Sequence, residues 1–382
     1  MNTTKRRVFL AGLASLAIFA AACGSDDSSS DATDAPTTEA AGESTTTAAA
    51  EESTTTAAAA ADLAAELNAS GATFPKTFYE EAIAEFTAAN PGVTINYAGG
   101  GSGKGRQDLA DQIVDWAGTD GTIKDEDLAG FKGGDVLYFP TVVAPITVSY
   151  NLDVEGLMLS ADTIAGIFQR TITNWNDAAI AAENPDATLP DQAITVVHRS
   201  DSSGTTGNFT KFLEKAAGPD ASAVWTLGTD STVEWPADTQ AAEGNGGVAS
   251  LISSTVGSIG YVDLSDATDA GLKFAMIMNK AGKYVEATLE GASAAAEGAE
   301  IKDNLTYSAI WADGDAAYPI TAQTWIIAYA KQTDAAKADA LKAFLTYILT
   351  DGQTLATDVN FAPLPAALAE KALAQVDSLV VG

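Results

Sequence analysis

Ala193-Ile-Thr-Val-Val-His-Arg-Ser-Asp-Ser-Ser-Gly-Thr205 reads as a strand, a short polar loop and the first turn of a helix. Ala193 to Val197 is a short run rich in β-branched residues, and Phe209, Phe212, Leu213 and Ala216 follow the loop at helical spacing. A strand that feeds a helix through a tight loop is the unit from which α/β sheets are built. The same stretch carries chemistry. A helix start offers unpaired N–H groups and the positive end of a dipole, which together attract a tetrahedral oxyanion. Arg199 adds a full cation, and Ser202, Ser203 and Thr205 add hydroxyls. The segment is built to grip an anion.

Outward from that stretch, short strands and helices alternate. Leu67–Ser70 reads as a strand, Phe74–Ala89 as a helix with Phe78, Ala82 and Phe86 on one face, and Val93–Tyr97 as the next strand. Gly105–Val114 follows as a helix, Trp116–Gly118 as a strand end, and Val136–Tyr150 as a long apolar run interrupted by Pro140 and Pro145. The alternation predicts an α/β fold with a largely parallel sheet. In open sheets of that kind ligands lie beyond the carboxyl ends of the strands, beside helix starts. Besides the Arg199 loop, two polar loops fit that place: Ser70-Gly-Ala-Thr-Phe-Pro75, whose proline suits a first helical turn, and Gly99-Gly-Gly-Ser-Gly103. Gly118-Thr-Asp120 ends a strand on a carboxylate at the same level.

With 382 residues the chain is long enough for two domains with real cores. Its net charge of −31 argues against a nucleic-acid partner, which needs a basic face. The same charge opposes long-range steering of an anion, so an anion site has to work through short-range donors in a protected cleft. Residues 1–22 read as an export signal: Lys5-Arg6-Arg7 is the basic start, Val8–Ala22 the short apolar stretch, and Ala20-Ala21-Ala22 a small-residue cleavage site. Arg6-Arg7-Val8-Phe9-Leu10 is similar to a twin-arginine signal, and a general secretory signal reads equally well. Cys23 is the sole cysteine, which excludes an intramolecular disulfide. Its position after the small residues resembles a bacterial lipobox and marks it for lipid attachment. Residues 23–62 then read as a tether of Ser, Thr, Ala, Asp and Glu that cannot bury enough apolar surface to fold.

Gly71-Ala-Thr-Phe-Pro75, Gly101-Ser-Gly103, Asp115-Trp-Ala-Gly-Thr-Asp120, Ile172-Thr-Asn-Trp-Asn176 and Val197–Thr205 occur in one order along the chain. Gly257-Ser-Ile-Gly-Tyr261 and Pro319-Ile-Thr321 continue the series. Together they resemble the phosphate-specific substrate-binding lipoproteins of bacterial phosphate ABC importers, in an acidic, actinobacterial-like form. The resemblance implies a two-domain clamshell of the type II periplasmic-binding kind, with mixed sheets flanked by helices and a two-segment hinge near Thr141–Thr147 and Pro319–Ile327. Domain one would combine 63–145 with 319–382, and domain two would be 146–318. It implies high-affinity, extracytoplasmic binding of inorganic phosphate between the domains and delivery to a membrane permease by a lipid-anchored, monomeric protein. The residues implied in phosphate binding are Thr73, Phe74 through its backbone, Ser102, Asp120, Arg199, Ser203, Gly204 through its backbone, and Thr205.

The residue chemistry bears on the alternatives. Asp120 is out of place beside an anion unless the anion carries a proton, because a carboxylate accepts a hydrogen bond from P–OH. Sulfate or molybdate would meet it with charge repulsion and an unpaired lone pair, a mismatch of about 1–3 kcal/mol. Asp201 is placed either to hold the Arg199 guanidinium from behind or to cap the following helix. Ala98–Gly105 falls short of a phosphate-binding NTPase loop at both ends, so Lys104 and Arg106 are assigned to the cleft rim or an exposed helix face. An exported phosphatase would use His198, the only histidine, as a base for Ser202 or Ser203. Adjacent strand residues point to opposite faces, so with Arg199 in the cleft His198 faces away. No nucleophile elbow, metal-ligand spacing or cofactor motif is present, and the expectation is a binding protein that is not an enzyme.

Overall fold

The computed structural model describes residues 63–218 and 224–382. The expected export signal, Cys23 and tether lie outside the described residues.

The first strand–helix units are β1 (Ala65–Gly71), α1 (Lys76–Ala89), β2 (Val93–Gly100), α2 (Ser102–Ala110), β3 (Trp116–Thr119) and the long strand β4 (Val136–Tyr150). There follow β5 (Met158–Leu159), α3 (Ala161–Phe168), α4 (Ala178–Glu183), β6 (Thr195–Arg199), α5 (Gly204–Ala217), β7 (Gln240–Ala242), α6 (Gly244–Ser254), β8 (Ser258–Asp263) and α7 (Leu264–Asp269). Short strands β9 (Lys273–Phe274), β10 (Met276–Met278) and β11 (Tyr284–Val285) lead to α8 (Leu289–Glu297). The chain closes with β12 (Thr321–Tyr329), β13 (Lys331–Gln332), α9 (Ala335–Leu349), α10 (Ala366–Gln375) and β14 (Val380–Val381).

The main sheet runs β2-β1-β3-β12-β4-β8-β6-β7, with β9 also on β4. Its flanks are parallel, β1 with β2 and β3 on one side and β6 with β7 and β8 on the other. Its centre is antiparallel, because β12 opposes both β3 and β4, and β4 opposes β8. The expected largely parallel sheet therefore holds only outside the central strands. The reason is that β12 returns from a distant part of the chain to lie between β3 and β4, with no crossover helix to impose a parallel sense.

β4 carries both flanks. Val136 to Pro145 pairs with β12, and Ile146 to Tyr150 pairs with β8. Prolines are foreign to the middle of a sheet because they cannot donate to the ladder. Here each occupies a discontinuity. Pro140 faces the register shift in β12 between Gln323 and Trp325, and Pro145 is the last residue on the β12 side. The same irregularity lets Thr324 leave the regular ladder and aim its hydroxyl at Asp120.

Each flank has its own aromatic packing. Tyr79 on α1 meets Tyr97 and Trp116 edge-on, and Trp116 also touches Phe344 of α9. Phe209 of α5 packs on Phe168 of α3, with centroids 4.7 Å apart, and stacks on Tyr261 of β8 at 4.5 Å. Burying side chains of this size contributes roughly 1.5–3 kcal/mol each, which fixes both helices against the sheet and so fixes where their first turns point. α2 begins three residues earlier than its sequence pattern predicts, at Ser102, and ends at Ala110. Its start is held by Gly103 N–H donating to Ser202 O at 2.9 Å, and its end by Asp111 N–H on Gln107 O, before Gln112 turns left-handed at φ 58°.

Candidate functional site

The carboxyl ends of β1, β2, β3 and β6 all deliver small polar loops to one place. β1 ends at Gly71, where φ is 136° and an added Cβ would lie 2.1 Å from Gly118 O. Only glycine permits that approach, and it lets Ala72 N–H bond Gly118 O at 2.9 Å. The turn Ala72–Pro75 then presents Thr73, while the Phe74 ring is buried edge-on against Phe361. Pro75 caps α1, so Thr73 and Phe74 lie in the turn just before the helix.

Ser102, fully buried, opens α2. Its Oγ accepts Asp120 N–H at 3.1 Å and donates to Asp120 Oδ2 at 3.3 Å. The other carboxylate oxygen, Oδ1, accepts from Thr324 Oγ1 at 2.7 Å. Asp120 is 1% exposed, and burial pushes its pKa up to about 6. The Thr324 hydrogen bond, the Arg199 charge and Ser102 pull in the opposite direction without cancelling the loss of water.

Arg199 ends β6. Its Nε donates to Asp201 Oδ1 at 2.7 Å, Nη2 pairs with Asp201 Oδ2, and Nη1 reaches Thr205 Oγ1 at 3.5 Å. The cap of α5 is Ser203, whose Oγ accepts Thr206 N–H at 3.1 Å. Asp201 is thereby left to hold the guanidinium, with Gly244 N–H adding a third bond to it at 3.1 Å. Burial works to raise the Asp201 pKa, and Arg199 outweighs it and holds the carboxyl below its ordinary range.

The first turn of α5 touches the opposite side directly. A Cβ on Gly204 would lie 2.4 Å from Ser102 Oγ and 2.6 Å from Asp120 Oδ2. Ser102, Asp120 and Gly204 are thus in direct contact, and Arg199 is bonded to Thr205 in the same helix turn as Gly204. Thr73 joins them through the Asn245 side chain, which bonds both Thr73 Oγ1 and Thr205 Oγ1. Ser203 keeps its hydroxyl proton free after capping the helix, and Phe74 contributes only backbone at this place. The arrangement can receive a small oxyanion: one guanidinium, N–H groups at two helix starts and several hydroxyls face one carboxylate.

The structure adds residues that the sequence did not reveal. Asn245, fully buried near the start of α6, donates from Nδ2 to Thr73 Oγ1 at 3.2 Å and Thr205 Oγ1 at 3.1 Å, and its backbone N–H also reaches Thr73 Oγ1 at 3.2 Å. Asn208 Nδ2 holds Asp120 O at 2.8 Å. Thr324 completes the set. Gly244-Asn-Gly-Gly247 was the available signal, another glycine-rich opening to an apolar helix with Val248 and Ile252.

Other polar residues take no part in that hydrogen-bond set, although Arg106 lines a cavity together with Asp120, Gly204 and Asn208. His198 stacks on Trp235 at 5.0 Å, with Nδ1 on Arg199 O and Nε2 on Thr239 Oγ1, and burial holds its pKa below the ordinary value. Ser202 Oγ bonds Ser231 Oγ at 2.9 Å. Lys104 forms an ion pair with Asp108 at 2.6 Å, and Arg106 bonds Thr119 Oγ1 at 3.0 Å. Asp120 caps no helix, since the next helical segment is a short 3-10 turn, Leu128–Gly130. Among the described residues no cluster of His, Cys, Asp and Glu could hold a metal ion.

A mixed sheet whose two flanks share one long strand, with an anion-ready site where their loops meet, defines a class that comparison with known proteins identifies. The PBP superfamily domain matches residues 28–352. The two-lobed fold is shared with a high-affinity periplasmic phosphate-binding protein, PfluDING, solved with phosphate bound (TM-score 0.67, 22% identity, 81% of this chain and 94% of that one). It is shared also with the phosphate-binding protein of Stenotrophomonas maltophilia (TM-score 0.66, 22% identity, 81% and 93%).

In sequence, the phosphate-binding protein PstS of Methanocaldococcus jannaschii is 37% identical over 311 residues, 75% of this chain and 79% of that one. PstS of Pasteurella multocida is 34% identical over 319 residues (82% and 90%), and PstS 3 of Mycobacterium tuberculosis 34% over 311 (78% and 82%). The chain belongs to the PstS family of phosphate-binding proteins within the PBP superfamily.

Proposed function

We propose that this protein binds inorganic phosphate between its two lobes and delivers it to the permease of an ABC importer. The observation that carries the reading is Asp120, a buried carboxylate set among donors. A site for a fully deprotonated anion gains nothing from a carboxylate, whereas hydrogen phosphate offers it a proton. The Ser102 and Thr324 hydroxyls hold Asp120 in place, and Asp201 holds Arg199 so that its remaining N–H groups face the ligand. A planar guanidinium fixed in this way can meet two oxygens at once. The groups that hold the phosphate are Thr73, the Phe74 backbone, Ser102, Asp120, Arg199, Ser203, the Gly204 backbone and Thr205.

The lobes are residues 63–145 with 319–382, and 146–318. The partner change in β4 between Pro145 and Ile146 supports that boundary and makes the strand the mechanical link. A ligand held from both sides favours closure because it binds the closed form better. The protein acts outside the cytoplasm, exported by residues 1–22 and anchored through a lipid on Cys23. It binds its ligand and does not turn it over. His198 is engaged on the far face of β6 and Ser203 caps a helix, so neither composes a base–nucleophile pair.

Isothermal titration of residues 63–382 tests the reading. Phosphate and arsenate, which both carry a proton near neutrality, are expected to bind, and sulfate to bind about 10- to 100-fold more weakly, as an unmet buried acceptor implies. Absence of heat with phosphate, or equal affinity for sulfate, overturns it.

A further inference from the structure

Asn245 makes two hydrogen bonds across the cleft, both to Thr73 Oγ1. It sits in the first turn of α6, on the flank of β6, β7 and β8, and its backbone and side-chain N–H groups both donate to Thr73 Oγ1, between β1 and α1 on the other flank. Its Nδ2 also donates to Thr205 Oγ1, which receives Arg199 Nη1 from its other side. A threonine hydroxyl has one proton and two lone pairs. With Thr73 Oγ1 accepting from two N–H groups, its lone pairs are occupied and its proton must be given elsewhere. Thr205 Oγ1, accepting from Asn245 and Arg199, is in the same position. The Oδ1 atom of Asn245 is buried with no partner among the described residues. Turning the amide over would let Oδ1 accept both hydroxyl protons and would take them away from the cleft.

We infer that Asn245 is a positioning residue: it aims the hydroxyl protons of Thr73 and Thr205 at the bound anion and, through Thr73, latches the two lobes together. The inference rests on the phosphate reading and adds a residue to it that does not touch the ligand. The amide is suited to the task because it is neutral and presents two donors from one nitrogen. A carboxylate of the same shape can only accept. It would draw both hydroxyl protons to itself and set a negative charge beside the anion.

The test compares Asn245→Ala and Asn245→Asp with the parent by phosphate titration and by stopped-flow rates, with thermal melting of the unliganded proteins as the control for folding. Asn245→Ala is expected to weaken binding by about 10- to 100-fold, the range for hydrogen bonds that serve a charged group, and to do so mainly through faster dissociation. Asn245→Asp, the closer isostere, is expected to be the worse binder of the two. A purely structural role predicts the reverse order, because the isostere packs better than the truncation.

Thr73→Val supplies the second readout. If Asn245 acts through that hydroxyl, Asn245→Ala costs much less in the Thr73→Val background than in the parent. Affinities within threefold of the parent, additive losses, or a milder Asn245→Asp each overturn the inference. A parent that does not bind phosphate removes the underlying reading as well. A parent that binds with unchanged Asn245 variants removes only this role.

Discussion

Arg199 and Lys104 both stand at a polar loop near the start of a helix, and both pair with an aspartate close in sequence. Yet the Arg199 side chain is 1% exposed and that of Lys104 is 53% exposed. Burial changes what each pair is worth. In water the attraction between unit charges is screened to about 1 kcal/mol at 4 Å, and it grows several-fold where water is excluded. Lys104 and Asp108 lie one helical turn apart; the Asp108 side chain is as buried as that of Asp201, and it is the ammonium of Lys104 that keeps its water and loses little by standing alone. Arg199 and Asp201 have given up water, so each depends on the other and on Thr205, Gly244 and whatever occupies the cleft. A chain of net charge −31 can hold an anion only where its own charge is kept out of reach, and Arg199 is at such a place.

The sharpest way to break the comparison is Arg199→Ala. Phosphate affinity should fall by about 2–5 kcal/mol in calorimetry, the cost of removing one member of a desolvated charge pair. The unliganded protein should also melt earlier, since Asp201 is left ionised and half-buried. Retained affinity would mean that the positive charge on the ligand comes from elsewhere.

Asp120 gives the next largest effect, on stability rather than binding. Its folded pKa of about 6 lies above the unfolded value of about 3.9, so the folded protein holds a proton that the unfolded chain has released between those values. The stabilisation this confers is complete below about pH 4 and is lost as pH rises through about 6. The shift of about 2 units corresponds to roughly 3 kcal/mol. Asp120→Asn carries no such charge. Without ligand it should exceed the parent in stability by about 2–3 kcal/mol at pH 7–8, with the gap closing below pH 4. Denaturant unfolding across that range measures it, and a constant gap would mean that Asp120 is not strained by burial. In the liganded state the same variant should raise the sulfate-to-phosphate affinity ratio about 10-fold or more, as an unpaired buried acceptor is relieved. An unchanged ratio would remove Asp120 as the reader of the proton.

Gly204→Ala probes the contact between flanks. Its Cβ would enter the space of Ser102 Oγ and the Asp120 carboxylate, so closure must move one side away. Overpacking of this kind costs about 1–3 kcal/mol, expected here in phosphate affinity more than in unliganded stability. Small-angle scattering should show a less compact particle with phosphate present than the parent gives. Equal radii would place the closing contact elsewhere.

How much of this could be read from the chain depends on distance along it. The start of α5 was legible because the apolar run, the polar loop and the spacing of Phe209, Phe212 and Leu213 are contiguous. β4 was legible because a strand buried on both faces is a continuous apolar run, and its bounds match. The start of α2 was not, because Ser102–Arg106 has weak helical propensity and is held by a carbonyl at Ser202. α6 was missed for the same reason: Gly244-Asn-Gly-Gly247 reads locally as loop, and the helix is held by burial of Val248 and Ile252. Asn245 and Thr324 reach their partners across 172 and 204 residues, and no local pattern encodes such contacts. The antiparallel centre has the same origin, in the late return of β12.

Lys104→Ala is the smallest expected effect, and it tests the other half of the comparison. Its ammonium is already matched by Asp108 Oδ2, which in turn accepts from Ser70 Oγ at 2.6 Å. Fully exposed helix pairs of this spacing contribute about 0.3–0.5 kcal/mol; here the carboxylate is buried and only the ammonium is exposed, which places the pair towards about 1 kcal/mol. Removing the ammonium should therefore lower the unfolding free energy by about 1 kcal/mol at most, Ser70 Oγ remaining on the carboxylate. Phosphate affinity should stay within about threefold of the parent, since no hydrogen bond links Lys104 to Thr73, Asp120, Arg199 or Thr205. The measurement is titration at low and at moderate ionic strength. A loss confined to low salt would assign Lys104 a weak role in drawing the anion in. A loss as large as that of Arg199→Ala at both salt concentrations would show that the exposed cation closes onto the ligand, and burial would no longer separate the two sites.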